Sequence, residues 1–372
     1  MLWMKALKAS FLIILIACSI NSKAQFRKYS NEFLNIGAGA RGISMGGAQA
    51  ASVADGTAGY WNPAGLVNVK NTQINLMHSE YFAGIGKYDF ANAAIPTTNS
   101  KRTIGATALR FAVDDIMNTL FLVEPDGTIN YNNIRPFSSA DYAFLLSYAQ
   151  QLGQATESKA VNFGVNAKVI HRSVGSFAKA WGFGLDAGLQ IFKDRWRFGI
   201  VGKDITTTFN TWSFSFTDKE KEALYLTKND IPVKSTEMTS PRLLLGIGRQ
   251  FPLGKSSSLL AETNFDVTFD GKRNTAISSD PISVDPKLGL EYGYKDVFFV
   301  RGGINNFQKA LADGDTLNQK KVWIYQPSAG AGFRVGPVVI DYAFANLANQ
   351  SNPLFTHVIS LRANLGKRGR AD

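Results

Sequence analysis

From residue 72 onward, apolar and polar positions alternate with a period of two, which is the pattern of β-strands with two unlike faces. Trp181, Phe183, Leu185, Ala187, Leu189 and Ile191 interleave with Gly182, Gly184, Asp186, Gly188 and Gln190. Val161 to Val169 and Leu259 to Phe269 repeat the arrangement, with Asn162, Asn166, Lys168, Glu262, Asn264 and Asp266 on the polar face. Fourteen such segments are predicted, at 73–82, 87–95, 103–112, 140–150, 160–172, 179–192, 195–205, 242–251, 257–269, 286–294, 296–305, 328–335, 338–346 and 355–365.

Alternation alone fits both a soluble sandwich and a membrane barrel, since either hides one face of the sheet. Connection lengths separate them. Those following even-numbered segments are short, as at 193–194, 295 and 336–337, whereas the long ones, 113–139, 206–241, 270–285 and 306–327, all follow odd-numbered segments. Tight turns at one end and long loops at the other mark an outer-membrane barrel. The predicted fold is therefore all-β, a 14-stranded antiparallel transmembrane β-barrel spanning 71–366. An even strand number places both termini on the short-turn side, the periplasm, with 367–372 as a basic tail there.

Two N-terminal segments break the alternation. In residues 1–24, Lys5 and Lys8 precede an apolar run, Phe11 to Ile20, and Ser22-Lys23-Ala24 offers small residues for cleavage before Gln25. This is a secretory signal peptide; Leu15-Ile16-Ala17-Cys18 loosely fits a lipobox as the competing reading. Residues 25–70 form the second, with glycine and small residues dominating 36–66. They suit a hatch packed inside a lumen, with Asn62-Pro63-Ala64 as its turn: proline fixes φ and Asn bonds local backbone. A plain turn into the first strand is the alternative.

The chain has 372 residues, a formal net charge of +11 and one cysteine, so a disulfide scaffold and a cysteine zinc site are excluded. The basic residues are scattered, which argues against nucleic acid and leaves lipopolysaccharide phosphates as the natural anionic neighbour. Motifs that suggest chemistry lack their context. Gly37-Ala-Gly39-Ala-Arg-Gly42 matches a dinucleotide fingerprint without a βαβ unit. Gly42-Ile-Ser44-Met-Gly46 matches a nucleophile elbow, yet His78, His171 and His357 each fall in a separate strand. Gly254-Lys255-Ser256 sits in a hairpin turn, and Asp313-Gly-Asp315 is too sparse for calcium. No catalytic residue, metal ligand or cofactor is expected. Tyr81, Phe82, Tyr142, Trp196, Tyr292, Tyr294 and Tyr342, near strand ends, suit interfacial girdles.

The stretch Phe33-Leu-Asn-Ile-Gly-Ala-Gly-Ala-Arg-Gly-Ile-Ser-Met-Gly-Gly-Ala-Gln-Ala-Ala, followed by Asp55-Gly-Thr-Ala-Gly-Tyr-Trp61-Asn62-Pro63-Ala64-Gly65-Leu66, resembles the start of PorV/PorQ proteins. These are barrels of Bacteroidetes-type bacteria related to FadL fatty-acid channels. The resemblance covers about forty residues and implies a non-enzymatic outer-membrane component of the type IX secretion system. Such a protein receives cargo through C-terminal sorting domains beside a translocon. The alternative is a FadL-like channel for a hydrophobic small molecule, which needs a continuous apolar pocket. The longest loop carries Phe209, Trp212, Phe214 and Phe216, expected either as a partner-binding patch or as a lid over the mouth.

Overall fold

The computed structural model describes residues 25–26, 30–97, 101–124, 126–156, 158–232, 235–311, 321–346 and 355–366. The predicted signal peptide, the 367–372 tail and Asp313-Gly-Asp315 lie outside them. Fourteen antiparallel strands close into a barrel: β1 (Thr72–Tyr81), β2 (Gly86–Pro96), β3 (Arg102–Asn118), β4 (Arg135–Leu152), β5 (Lys159–Val174), β6 (Ala178–Lys193) and β7, which is interrupted (Trp196–Lys203, then Thr208–Phe214). Then follow β8, also in two pieces (Ser235–Thr239 and Arg242–Leu253), β9 (Ser257–Thr268), β10 (Ser283–Tyr294), β11 (Phe298–Leu311), β12 (Lys321–Val335), β13 (Val338–Ala345) and β14 (Thr356–Leu365). Each pairs with its neighbours in sequence, and β14 pairs β1 from Leu365↔Thr72 to His357↔Glu80, which closes the barrel.

The faces follow from the alternation. Trp181, Phe183, Leu185, Phe144 and Leu146 are exposed on the outer wall, while Asn162, Asn166, Lys168, Asp186 and Gln190 are buried within. A water-filled exterior would strand that apolar band; lipid takes it without cost. The three histidines also face outward: His78 Nδ1 lies 2.7 Å from Asp89, His171 stacks on Trp181 and His357 Nδ1 lies 2.8 Å from the Tyr342 hydroxyl.

Strand limits differ from the sequence expectation at the loop end. β3 continues to Asn118 and β4 starts at Arg135, so the loop set at 113–139 shrinks to 119–134. β12 begins at Lys321 rather than 328. The interval 206–241 is strand at both ends, since β7 resumes over Thr208–Phe214 and β8 begins at Ser235, and between them lies the helix Asp218–Leu226. The β3 extension carries polar residues on both faces (Val113-Asp114-Asp115-Ile116), so the period-two signal fades there although the ladder continues past a bulge between Val113 and Ile116.

The break in β7 has an identifiable cause. Asp204 and Thr207 take positive φ, 56° and 55°. The Asp204 carboxylate accepts from Thr208 Oγ1 and, with Asp186, holds the buried ammonium of Lys168 at 2.6 and 2.7 Å. Four residues of β7 then oppose Ser240 and Pro241 of β8, and the wall bulges.

Residues 30–71 run through the lumen. Gln25–Phe26 pairs in parallel with Glu237–Met238 at the loop end, and the chain leaves at the turn end to begin β1. The barrel proper does start and finish on the short-turn side, but the expectation for the N-terminus needs correction: Gln25 lies at the opposite end. Inside are a 3-10 turn (Glu32–Asn35), helix α1 (Ala40–Ser44), helix α2 (Ala58–Trp61) and a 3-10 helix (Pro63–Asn68).

Candidate binding site at the barrel mouth and the segment beneath it

Asn62, Pro63 and Ala64 sit together against the wall. Asn62 Oδ1 accepts from the Ala64 N–H (3.1 Å), capping the 3-10 helix that Pro63 opens with its fixed φ and missing donor. The Asn62 amide donates to the carbonyls of Ala50 (2.7 Å) and of Leu189 on β6 (3.0 Å), joining the segment to itself and to the barrel. The wall is cut close here: a Cβ on Gly164 of β5 would lie 2.4 Å from Ala64 N. Gln190 donates to the Ala51 and Val53 carbonyls, both at 2.9 Å.

The glycine motifs serve this packing. Gly39 adopts φ 77°, and a Cβ on Gly42 would enter the Trp61 indole at 2.7 Å. Trp61 Nε1 donates to the Ala38 carbonyl (2.8 Å), and Tyr60 meets Trp61 edge-on at 4.8 Å. Ser44 Oγ donates to the Arg41 carbonyl (3.0 Å) and is buried, with every histidine on the outer wall. That is not the geometry of a nucleophile and base.

The lumen wall has two characters. On β1 to β5, Met77, Tyr88, Phe90, Leu109, Leu145 and Ile170 form one apolar cluster with Phe33, Tyr60, Trp61 and Leu66 of the inner segment. Fully burying each such side chain stabilises by roughly 1.5–3 kcal/mol. On β10 to β14 ionic contacts dominate. Glu291 receives Arg41 Nε (2.7 Å) and Nη2 (3.0 Å) and also Arg301 Nε (2.6 Å); Arg301 reaches Asp341 at 2.7 Å; Arg362 pairs with Asp55. Burial alone would push the Asp55 carboxyl up, but the Arg362 and Arg41 charges and the bonds from Thr57 outweigh it and hold Asp55 below the usual carboxylate range.

Above this segment lie two cavities at the loop end. The larger, about 620 Å³, is mixed: Asp141, Arg172, Arg242 and Lys287 face it together with Phe33, Ile36, Tyr81 and Phe111. The second, about 420 Å³, is aromatic: Phe177, Trp212, Phe214 and Phe216, with Val174, Ala178, Ser235 and Glu237. Its rings stack in series, Trp212 on Phe214 at 6.3 Å and Phe214 on Phe216 at 6.4 Å, with Phe177 at 6.0 Å from Phe216. The Arg172 guanidinium lies 5.2 Å from the Trp212 ring and pairs with Asp141 at 2.8 Å.

The four aromatics expected on one loop therefore divide. Thr208–Phe214 is strand, its side chains alternate, and Asn210 reaches inward to Asn31 Oδ1 at 2.9 Å. Trp212 and Phe214 share that inner side, whereas Phe209 is on the outer wall, 43% exposed. Only Phe216 belongs to a loop. Sequence reading missed Phe177; its signal was a large apolar residue in the tight turn Gly175-Ser176-Phe177, where water alone would favour none. It also missed Arg41 and Glu291 as partners, because 250 residues separate them.

No family model and no curated protein matches the chain. Solved structures do. The CymD monoaromatic hydrocarbon channel aligns with TM-score 0.55 and 14% identity over 90% of this chain and 99% of that one. The toluene transporter TodX of Pseudomonas putida aligns with TM-score 0.54 and 14% identity over 92% and 100%. The toluene transporter TbuX of Ralstonia pickettii gives TM-score 0.51 and 14% identity over 88% and 98%. At that identity the likeness is one of fold, the closed antiparallel β-barrel, which in this chain has 14 strands.

Proposed function

We propose that this protein is a FadL-like outer-membrane barrel that captures hydrophobic small molecules at its loop-end mouth, with residues 30–71 acting as a hatch. The observation that carries the reading is the 420 Å³ aromatic cavity of Phe177, Trp212, Phe214 and Phe216 above a filled lumen. The hydrocarbons in the names of the structural neighbours are the ligand class that such a cavity suits. Catalysis has no part in it. The test is binding of toluene and of the apolar dye 1-N-phenylnaphthylamine to the barrel in nanodiscs. Changing Trp212, Phe214 and Phe216 together to Ser is expected to weaken dye binding at least tenfold; unchanged affinity overturns the reading.

A second reading has its own support. The resemblance of residues 33–66 to PorV/PorQ proteins implies a type IX secretion component of a Bacteroidetes-type outer membrane, whose partners are translocon and cargo sorting domains. The helix Asp218–Leu226 favours it, presenting Tyr225 and Leu226 to solvent at 79% and 67% exposure. Affinity purification from native membranes separates the two: co-purifying secreted chains support protein transport, and a bound hydrophobe alone supports the channel.

A further inference from the structure

The first piece of β8, Ser235–Thr239, stands above the rim of β9, whose last pair is Thr268 with Arg242. One of its edges is fully used: all five residues pair with Thr208–Trp212 of β7. Along its other edge, among the described residues, main-chain pairing is limited to Gln25–Phe26, in parallel, at Glu237 and Met238, while the side chains of Ser30 and Asn31 donate to those of Glu237 (3.3 Å) and Thr239 (2.9 Å). A sheet edge presents a row of backbone donors and acceptors and is a template for any extended chain. Two parallel residues are a weak cover for it, since parallel pairs are slightly less stable per residue than antiparallel ones. The same short strand supplies Ser235 and Glu237 to the aromatic cavity. Side chains alternate along a strand, so one added at this edge sends every second side chain to the cavity side.

We propose that Ser235–Thr239 is a docking edge for an extended polypeptide segment, whose alternate apolar side chains enter the cavity of Phe177, Trp212, Phe214 and Phe216, and that Gln25–Phe26 is the resident strand it displaces. This rests on the mouth cavity being a binding site, as proposed above, and adds the backbone recognition and the polypeptide class of ligand. Main-chain bonds to the edge then give affinity, and the cavity gives specificity for large apolar groups.

The experiment locks the resident strand. Phe26→Cys and Met238→Cys stand directly opposite in the register, within the Cα span of a disulfide, and a chain cut before Gln25 has no other cysteine. The probe is a fluorescent ten-residue peptide alternating Thr and Phe, read by anisotropy on barrels in nanodiscs, with 1-N-phenylnaphthylamine as the cavity control. Reduced protein is expected to bind the peptide, oxidised protein at least tenfold more weakly, and re-reduction to restore binding, while both forms hold the dye. Equal peptide binding by both forms overturns the proposal. Dye binding without peptide binding in either form also overturns it and leaves the small-molecule reading standing. If neither probe binds, the cavity reading falls as well.

Discussion

The inner segment is held on one side by rings and aliphatic side chains, on the other by charges, and the two sides respond to different perturbations. Against β1 to β5 it packs Phe33, Trp61 and Leu66 on Leu109, Leu145 and Ile170, contacts without direction that tolerate small shifts. Against β10 to β14 it relies on Arg41 and Asp55 meeting Glu291 and Arg362, contacts that work only at hydrogen-bond geometry. The apolar side supplies most of the adhesion. The ionic side supplies register, because a buried charge displaced from its partner is far costlier than a displaced methyl group.

The comparison is broken most severely at Glu291. Glu291→Ala leaves Arg41 and Arg301 facing each other without their shared carboxylate, at a cost of about 4 kcal/mol. Trypsin is expected to cut at Arg41 in the variant and not in the parent; protection in both would mean that the apolar side suffices alone. Leu109→Ala tests that side, costing about 3 kcal/mol through lost burial and a cavity. It is expected to lower the temperature of heat-modified gel mobility while Arg41 stays protected, so cleavage at Arg41 here would merge the two regions into one.

Asn62→Ala removes the cap and the bonds to Ala50 and Leu189, for about 1 kcal/mol, seen as faster hydrogen exchange at Ala64 and Gly65. An unchanged exchange rate would make Asn62 dispensable. The smallest effect is absent at neutral pH. Asp55 is held below its unfolded value, so its contribution is complete above about pH 3.9 and fades as pH falls through the lowered value. Barrels in planar bilayers should conduct more as pH drops below about 4, and Asp55→Asn should remove that component. A parent whose conductance is flat down to acid pH would detach Asp55 from the closure.

The fold was legible because lipid and lumen impose opposite polarity on adjacent residues. Trp181, Phe183 and Leu185 against Gly182, Gly184 and Asp186 announce a strand and both its faces. Where β3 rises beyond the band, at Asp114-Asp115, polar residues face both sides and the pattern dissolves, hence the misplaced loop limit; at Thr206-Thr207 the strand itself is interrupted. The mouth cavity was half legible: Trp212, Phe214 and Phe216 drew notice, but reading 206–241 as a loop hid the strand alternation that turns Phe209 away from them, and only the pairing of β6 with β7 at Ala178↔Phe214 brings Phe177 near. The Arg41–Glu291–Arg301–Asp341 chain was not legible at all, since four charges on four different elements share no spacing in the sequence.

Val69, Lys70 and Asn71 are the whole of the covalent link between the last 3-10 helix of the inner segment and β1. If the segment is the hatch proposed above, so short a leash makes it an intramolecular ligand, facing its own seat at an effective concentration on the order of millimolar or above. Its departure is therefore a swing rather than a release, and re-seating is a first-order event that dilution does not slow. A peptide copy of residues 30–71 added from outside, at micromolar concentration, has no means of competing with it.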